Sequence, residues 1–289
     1  MRNSGELRKR ENEETAVLIR VGRSWVSPHR VIYKGHDKFY ARNSSGKYPL
    51  DVGELRSAFT LSATITERIR RFREDRISSL YANETPVPMK EGPKIVLHLL
   101  PVVSFSGQPV TYATATRLHM RPMHSNGWDT KYTLEGFLNY AQGDNVAAQT
   151  YVHLYRNGII EAVEGSLIAP VSVGKQTGKY IDSFYEHITI EVVDNYIEHM
   201  KGMGIPTPVF VFLTLVEVKG CMLRHGFRIV SSSMQPNVID RDVLLLPEVT
   251  IENYDIGAAQ LMKPVFDGVW NTCGYARSFN YDDKGEWKK

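Results

Sequence analysis

Residues 19–56 read IRVGRSWVSPHRVIYKGHDKFYARNSSGKYPLDVGELR, short apolar runs punctuated by turn residues, and the fold class of the N-terminal part follows from them. The run TAVLIRV at residues 15–21 overlaps their start. It is β-branched and apolar and predicts a strand buried on at least one face. Gly22, Pro28 and the serines between them then open a loop that carries Arg23, Trp25, His29 and Arg30. Residues 31–33 and 38–41 predict two strands joined by the turn Lys34-Gly35-His36-Asp37. A second polar loop, Arg42-Asn43-Ser44-Ser45-Gly46-Lys47, follows at once. Asp51 with Glu54 three residues later has the spacing of a capping box and predicts a helix start. A longer helix is expected over residues 65–80. Ile65, Ile69, Phe72, Ile77 and Leu80 form its apolar stripe, with Arg68, Arg70, Arg71, Arg73 and Arg76 largely outside it.

The two loops hold the chemistry. Phosphate oxygens are recognised by guanidinium, ammonium, hydroxyl and backbone N–H donors, and residues 42–47 place all four within six positions. Ser and Gly also let the backbone turn and approach a phosphate closely. Trp25 is of the kind that stacks on an exposed base. The residues expected at a nucleic-acid surface are therefore Arg23, Trp25, Arg30, Lys34, Arg42, Asn43, Ser44, Ser45 and Lys47. Each has a plainer alternative: Asn-Ser-Ser-Gly is ordinary turn chemistry, a tryptophan beside a strand is commonly core, and an arginine-rich helix face is commonly solvated.

Charge divides the chain in the same place. Residues 1–90 hold 18 Lys/Arg against 11 Asp/Glu, and the remainder holds 17 against 21, inside an overall charge of +3. A basic segment joined to a mildly acidic one suggests a polyanion-facing part and a part with another task. The junction falls at residues 83–93, NETPVPMKEGP, where three prolines and a glycine favour an extended linker.

Residues 94–289 read as a mixed α+β domain of unassigned role. Strands are expected at residues 94–101, 131–140, 209–218 and 243–246. A hairpin is expected across Asn157-Gly158, between residues 150–156 and 159–163. Helices are expected at residues 180–203 and 256–272. Glu217-Val218-Lys219 at a strand end resembles half of a PD-(D/E)xK nuclease site, but no convincing acidic partner precedes it, and a charged pair where a strand meets solvent is the commoner case. His119, His124 and Asp129 lie in a stretch broken by Pro122 and Gly127, without ligand periodicity. Cys273, beside Gly274, fits a packed thiol better than a nucleophile. No catalytic residue, metal or cofactor is expected, and no nucleotide phosphate loop is present.

Composition narrows the class. Hydrophobic residues make up 42% and charged residues 23% of 289, ordinary for a globular protein. The longest apolar stretch, residues 208–216, is too short to span a membrane, and the charged start has no apolar core for a secretory signal. Two cysteines cannot build a disulfide framework. The expectation is a cytoplasmic protein binding DNA or RNA, with no membrane partner and with a homo-oligomer left open.

The 19–56 stretch also resembles the closing half of the AlbA_2 domain of Schlafen proteins and of many bacterial proteins labelled DNA-binding. The likeness lies in a V-x-R-S step, a proline-containing loop, F-Y-x-R-N-S-S-G, and a Leu-Asp-x-x-E-L-R helix start. It covers about residues 15–76. It implies nucleic-acid binding in regulation or phage defence, with Arg42, Asn43, Ser44 and Ser45 on the binding surface. The family domain begins upstream with an E-x-x-x-[LV]-E-F-K-like segment whose acidic residues serve metal-dependent RNA cleavage in some members. Here Met1 lies only about fifteen residues before the matching strand, so a fragment or an internal start is expected, and binding is implied more than cleavage. The alternatives are a piece of a Schlafen-like ribonuclease and a module that binds a protein partner. The expected architecture is thus α+β: a partial hairpin and helix unit over residues 1–82, a linker, and a second α+β domain.

Overall fold

The computed structural model describes residues 5–9, 15–19, 28–106, 120–143, 147–173, 176–225, 228–229 and 237–288, so Arg23 and Trp25 lie outside the described residues. The protein is α+β. It divides into two units, Met1–Thr66 and Glu67–Lys289.

In the first unit, β1 (Gly5–Lys9) pairs antiparallel with β2 (Thr15–Ile19), so the charged N-terminal run holds a strand that its composition hides. The three strands β3 (Arg30–Tyr33), β4 (His36–Asn43) and β5 (Gly46–Pro49) form an antiparallel meander. Lys34 and Gly35 make the first turn, both with positive φ (47° and 76°), the conformation whose twist suits a two-residue hairpin. At the second turn the Asn43 carboxamide accepts the Ser45 N–H at 2.9 Å, and Gly46 takes φ 120°. The expected 42–47 loop is therefore a tight turn, and β5 is a strand that the sequence reading did not contain.

The helix α1 (Val52–Tyr81) is one element where two were expected. The capping box forms: the Glu54 N–H donates to Asp51 Oδ1 at 2.8 Å, and the Asp51 N–H donates to Glu54 Oε2 at 3.0 Å.

In the second unit, strands β6 (Lys94–Pro101), β7 (Asp129–Tyr132), β8 (Gly136–Gln142), β9 (Ala148–Tyr155) and β10 (Ile160–Glu164) share one antiparallel sheet with β13 (Val209–Val216), β16 (Val243–Leu245) and β17 (Val249–Ile251). The order is β16-β13-β6-β10-β9-β8-β7, with β17 also on β13. A smaller sheet joins β11 (Ile168–Val173), β12 (Gln176–Asp182), β14 (Met222–His225) and β15 (Arg228–Ile229). Helices α2 (Phe184–Gly202) and α3 (Ala258–Thr272) pack together in the main core.

Alternation along β6 explains the layers. Ile95, Leu97 and Leu99 join Tyr185, Ile188 and Val192 of α2 and Val265 and Phe266 of α3 in that core. Val96 points the other way and packs with Ile77 and Leu80 of α1, together with Leu138, Tyr151 and Val163. A sheet covered on both faces has strands apolar at nearly every position, as in VFVFLTLV of β13.

Several expectations are corrected. Residues 131–140 are a hairpin rather than one strand, with Thr133 closing the turn on Gly136 through its hydroxyl at 3.0 Å. Residues 180–182 are the end of β12 rather than helix, and α2 begins at Phe184. Residues 83–93 lie inside the second unit: the Ala148 N–H donates to Pro88 O at 2.7 Å and Val87 is buried. The arginines of α1 are not all solvated either. Arg73 is buried, with Nε on Thr214 Oγ1 at 3.0 Å and Nη2 on Leu213 O at 3.1 Å.

Candidate nucleic-acid interface

The meander is a sheet of two unlike faces. Strand alternation places Asp37, Phe39 and Ala41 on one side of β4 and His36, Lys38, Tyr40 and Arg42 on the other. The first side meets α1: Phe39 lies edge-on to Phe59 with ring centroids 5.9 Å apart, and the Tyr48 hydroxyl donates to Glu54 at 3.0 Å. The second side gathers the charge. Register puts Val31 opposite Lys38, Tyr33 opposite His36, and Lys47 opposite Arg42.

Two features of that second side are unusual for a solvated sheet. Arg42 and Lys47 are like charges directly across from one another, an arrangement that destabilises a strand pair. Among the described residues, neither they nor Lys34 nor Lys38 has an ion-pair partner. Tyr33 and Tyr40 stand between these cations. The Lys34 ammonium lies 5.3 Å from the Tyr33 ring centroid, and the Lys47 ammonium 5.6 Å from that of Tyr40.

The residues expected at the surface divide accordingly. Lys34, Arg42 and Lys47 gather at this face, and Ser44 and Ser45 are exposed at its turn. Asn43 spends its carboxamide oxygen on the turn itself. Arg30 belongs to the other side by register, and its guanidinium is paired through two nitrogens with the Asp37 carboxylate. The sequence reading missed Lys38, Tyr33 and Tyr40. The every-second-residue series His36, Lys38, Tyr40, Arg42 was the available signal.

In the second unit, by comparison, the buried charge of Glu161 is compensated by bonded partners. His98, Glu161 and His153 form one row across β6, β10 and β9. Glu161 is fully buried. It accepts from Arg76 Nε at 2.8 Å and Nη2 at 3.0 Å, is bonded to His98 Nε2 at 2.9 Å, and accepts from the Tyr151 hydroxyl at 2.8 Å. Burial disfavours its charge, but the bonds to His98 and Arg76 outweigh burial and hold the carboxyl well below the usual range. Burial also lowers His153 to about 4.

A cavity of about 560 Å³ is lined in part by Arg121, His124, Gln149, Phe184, His187 and Glu191. Its charges are matched within the lining: Glu191 lies 3.6 Å from Arg121 Nη1 and 3.4 Å from His187 Nε2. His124 Nδ1 reaches Ser166 Oγ at 3.3 Å, and Ser166 is bonded in turn to Glu164. Burial raises Glu164 to about 7 against the bonds it accepts from Ser166.

The nuclease-like sequence does not take nuclease geometry. β13 ends at Val216, and Glu217 turns out of it with φ 58° and pairs with Lys94 at 3.3 Å, so Glu217 and Lys219 are not alternate side chains of one strand. Among the described residues no group of His, Cys, Asp and Glu could hold a metal ion. Cys273 is buried at the end of α3, and burial raises its thiol. No helix among the described residues is long and apolar enough to cross a membrane. Comparison with family models, curated proteins and solved structures finds no match for this chain.

Proposed function

We propose that this protein binds nucleic acid through the Lys38, Tyr40, Arg42 and Lys47 side of the meander. The observation that carries the reading is the cross-strand pair of Arg42 and Lys47, two cations held against each other without a carboxylate. A phosphate between them turns a repulsion into two charge-assisted contacts, the arginine's being open to bidentate geometry. The hairpin fixes the backbone beneath both side chains, so little ordering is required when the phosphate arrives. The charge balance of residues 1–90 and the AlbA_2 likeness of residues 15–76 support the same reading. With it go a cytoplasmic location and a role in regulation or phage defence.

Polarisation titrations with labelled oligonucleotides over a range of salt test it. Engagement of all four cations Lys34, Lys38, Arg42 and Lys47 corresponds to a log–log salt slope of about −3 for a single strand. A flat salt dependence would remove the proposal.

A further inference from the structure

We infer that this face takes single-stranded nucleic acid, stacking bases on Tyr33 and Tyr40 while the adjacent cations hold the phosphates. The inference rests on the binding function proposed above and adds the form of the ligand.

Three observations carry it. The first is the aromatic content of the charged side. Tyr33 is 64% exposed and Val31 43% exposed, and Tyr40 shares their side. A duplex presents its phosphates outward and keeps the faces of its bases inside the stack, so cations alone would serve it and the rings would meet nothing. A single strand offers base faces, and a ring can stack on any of them without reading sequence.

The second is the repetition of a ring with its own ammonium, Tyr33 with Lys34 and Tyr40 with Lys47. Such a contact is weak at an exposed site. The ammonium can leave the ring for a phosphate as a base takes its place. Each pair is therefore a small subsite for one nucleotide, with the ring for the base and the cation for the phosphate beside it.

The third is spacing. Tyr33 is level with His36 on the neighbouring strand, and Tyr40 lies four residues further along β4. At the rise of a β-strand that is about 13 Å. The rings are too far apart to sandwich one base, and they serve different nucleotides of one strand. Arg42 and Lys47 lie just beyond Tyr40, where the strand continues.

The experiment uses the full chain and three labelled probes of equal phosphate number: an oligothymidine, an abasic strand, and a hairpin duplex. The abasic strand keeps the charge and removes what the rings would stack upon. Oligothymidine is expected to bind at least about tenfold more tightly than the abasic strand, since stacking one base is worth roughly five- to 150-fold. Tyr33→Ala should weaken oligothymidine within that range and leave the abasic and duplex affinities unchanged, while Tyr33→Trp restores the loss. Tyr40→Ala should likewise weaken oligothymidine binding within that range. Equal affinity for oligothymidine and the abasic strand overturns the inference, as does a Tyr33→Ala protein with undiminished oligothymidine binding. If all three probes bind alike and still depend on Arg42, only the single-strand inference falls. If none binds, the nucleic-acid function falls with it.

Discussion

Replacing Arg76 tests how the second unit holds α1 against its sheet. The Arg76 guanidinium supplies two of the four hydrogen bonds to a carboxylate with no exposure to water. Removing one partner of a buried ion pair costs about 3–5 kcal/mol, because the other charge stays buried without compensation. Here His98 and Tyr151 remain bonded to Glu161, so the lower end applies and about 3 kcal/mol is expected. For a unit of this size that is a fall in Tm of roughly 6–12 °C. Arg76→Met is the cleaner variant, since it keeps an apolar stem where the arginine packs. Adding Glu161→Gln to Arg76→Met should recover most of the loss: the amide oxygen still accepts a hydrogen bond and the stranded charge is gone.

The measurement is urea unfolding of wild type, both single variants and the double variant, completing a cycle. An Arg76→Met protein within about 1 kcal/mol of wild type would refute the account, as would a double variant no more stable than Arg76→Met. The pH dependence supplies a second readout. Glu161 is held below its ordinary range, so its contribution is present above that range and is lost as the pH falls toward its folded-state value. Without Arg76 the folded-state value rises toward the ordinary one, so that loss should be smaller and complete at a higher pH.

Arg42→Ala should weaken oligonucleotide binding by about 1–3 kcal/mol with Tm unchanged or slightly raised, and Lys47→Ala should cost less and flatten the salt slope by about one unit. A loss of Tm with normal binding would make Arg42 a scaffold residue. Burial raises Glu164 to about 7, so its contribution to stability is present below about 4.5 and is lost as the pH rises through about 7. Glu164→Gln should therefore gain on wild type by the order of 1–3 kcal/mol between pH 5 and pH 8, and unfolding curves that stay parallel across that range would contradict this. A Cβ at Gly136 would sit 1.9 Å from the Leu154 carbonyl oxygen, so Gly136→Ala should destabilise at the upper end of the roughly 1–3 kcal/mol seen for overpacking. Thermal melts decide that case.

The residues differ in how far they could be read without coordinates, and the reason is the range of the interaction each one makes. The capping box at Asp51 and Glu54, the turn after Tyr33 and the Asn157-Gly158 hairpin depend on neighbours within a few positions, and the chain forms them, the turn closing on Lys34 and Gly35 alone with His36 and Asp37 already in β4. Arg73 and Arg76 depend on Leu213, Thr214 and Glu161, which lie 85 to 141 residues further along. Their place in an arginine-rich helix gave no sign of which would be buried. A sign did exist on the other side of the contact. His98 within KIVLHLLP and Glu161 within IEAVE are polar residues inside mostly apolar strands, and such residues must find partners if both faces of the sheet are covered. The charged face of the meander follows the same rule. Arg42 and Lys47 were legible as a basic turn, but the strand β5 that sets them opposite each other was not, because GKYP is too short to declare itself and forms only by pairing with β4. That pairing turns a polar loop into a surface. It fixes two cations side by side and aligns them with Lys38 and Tyr40.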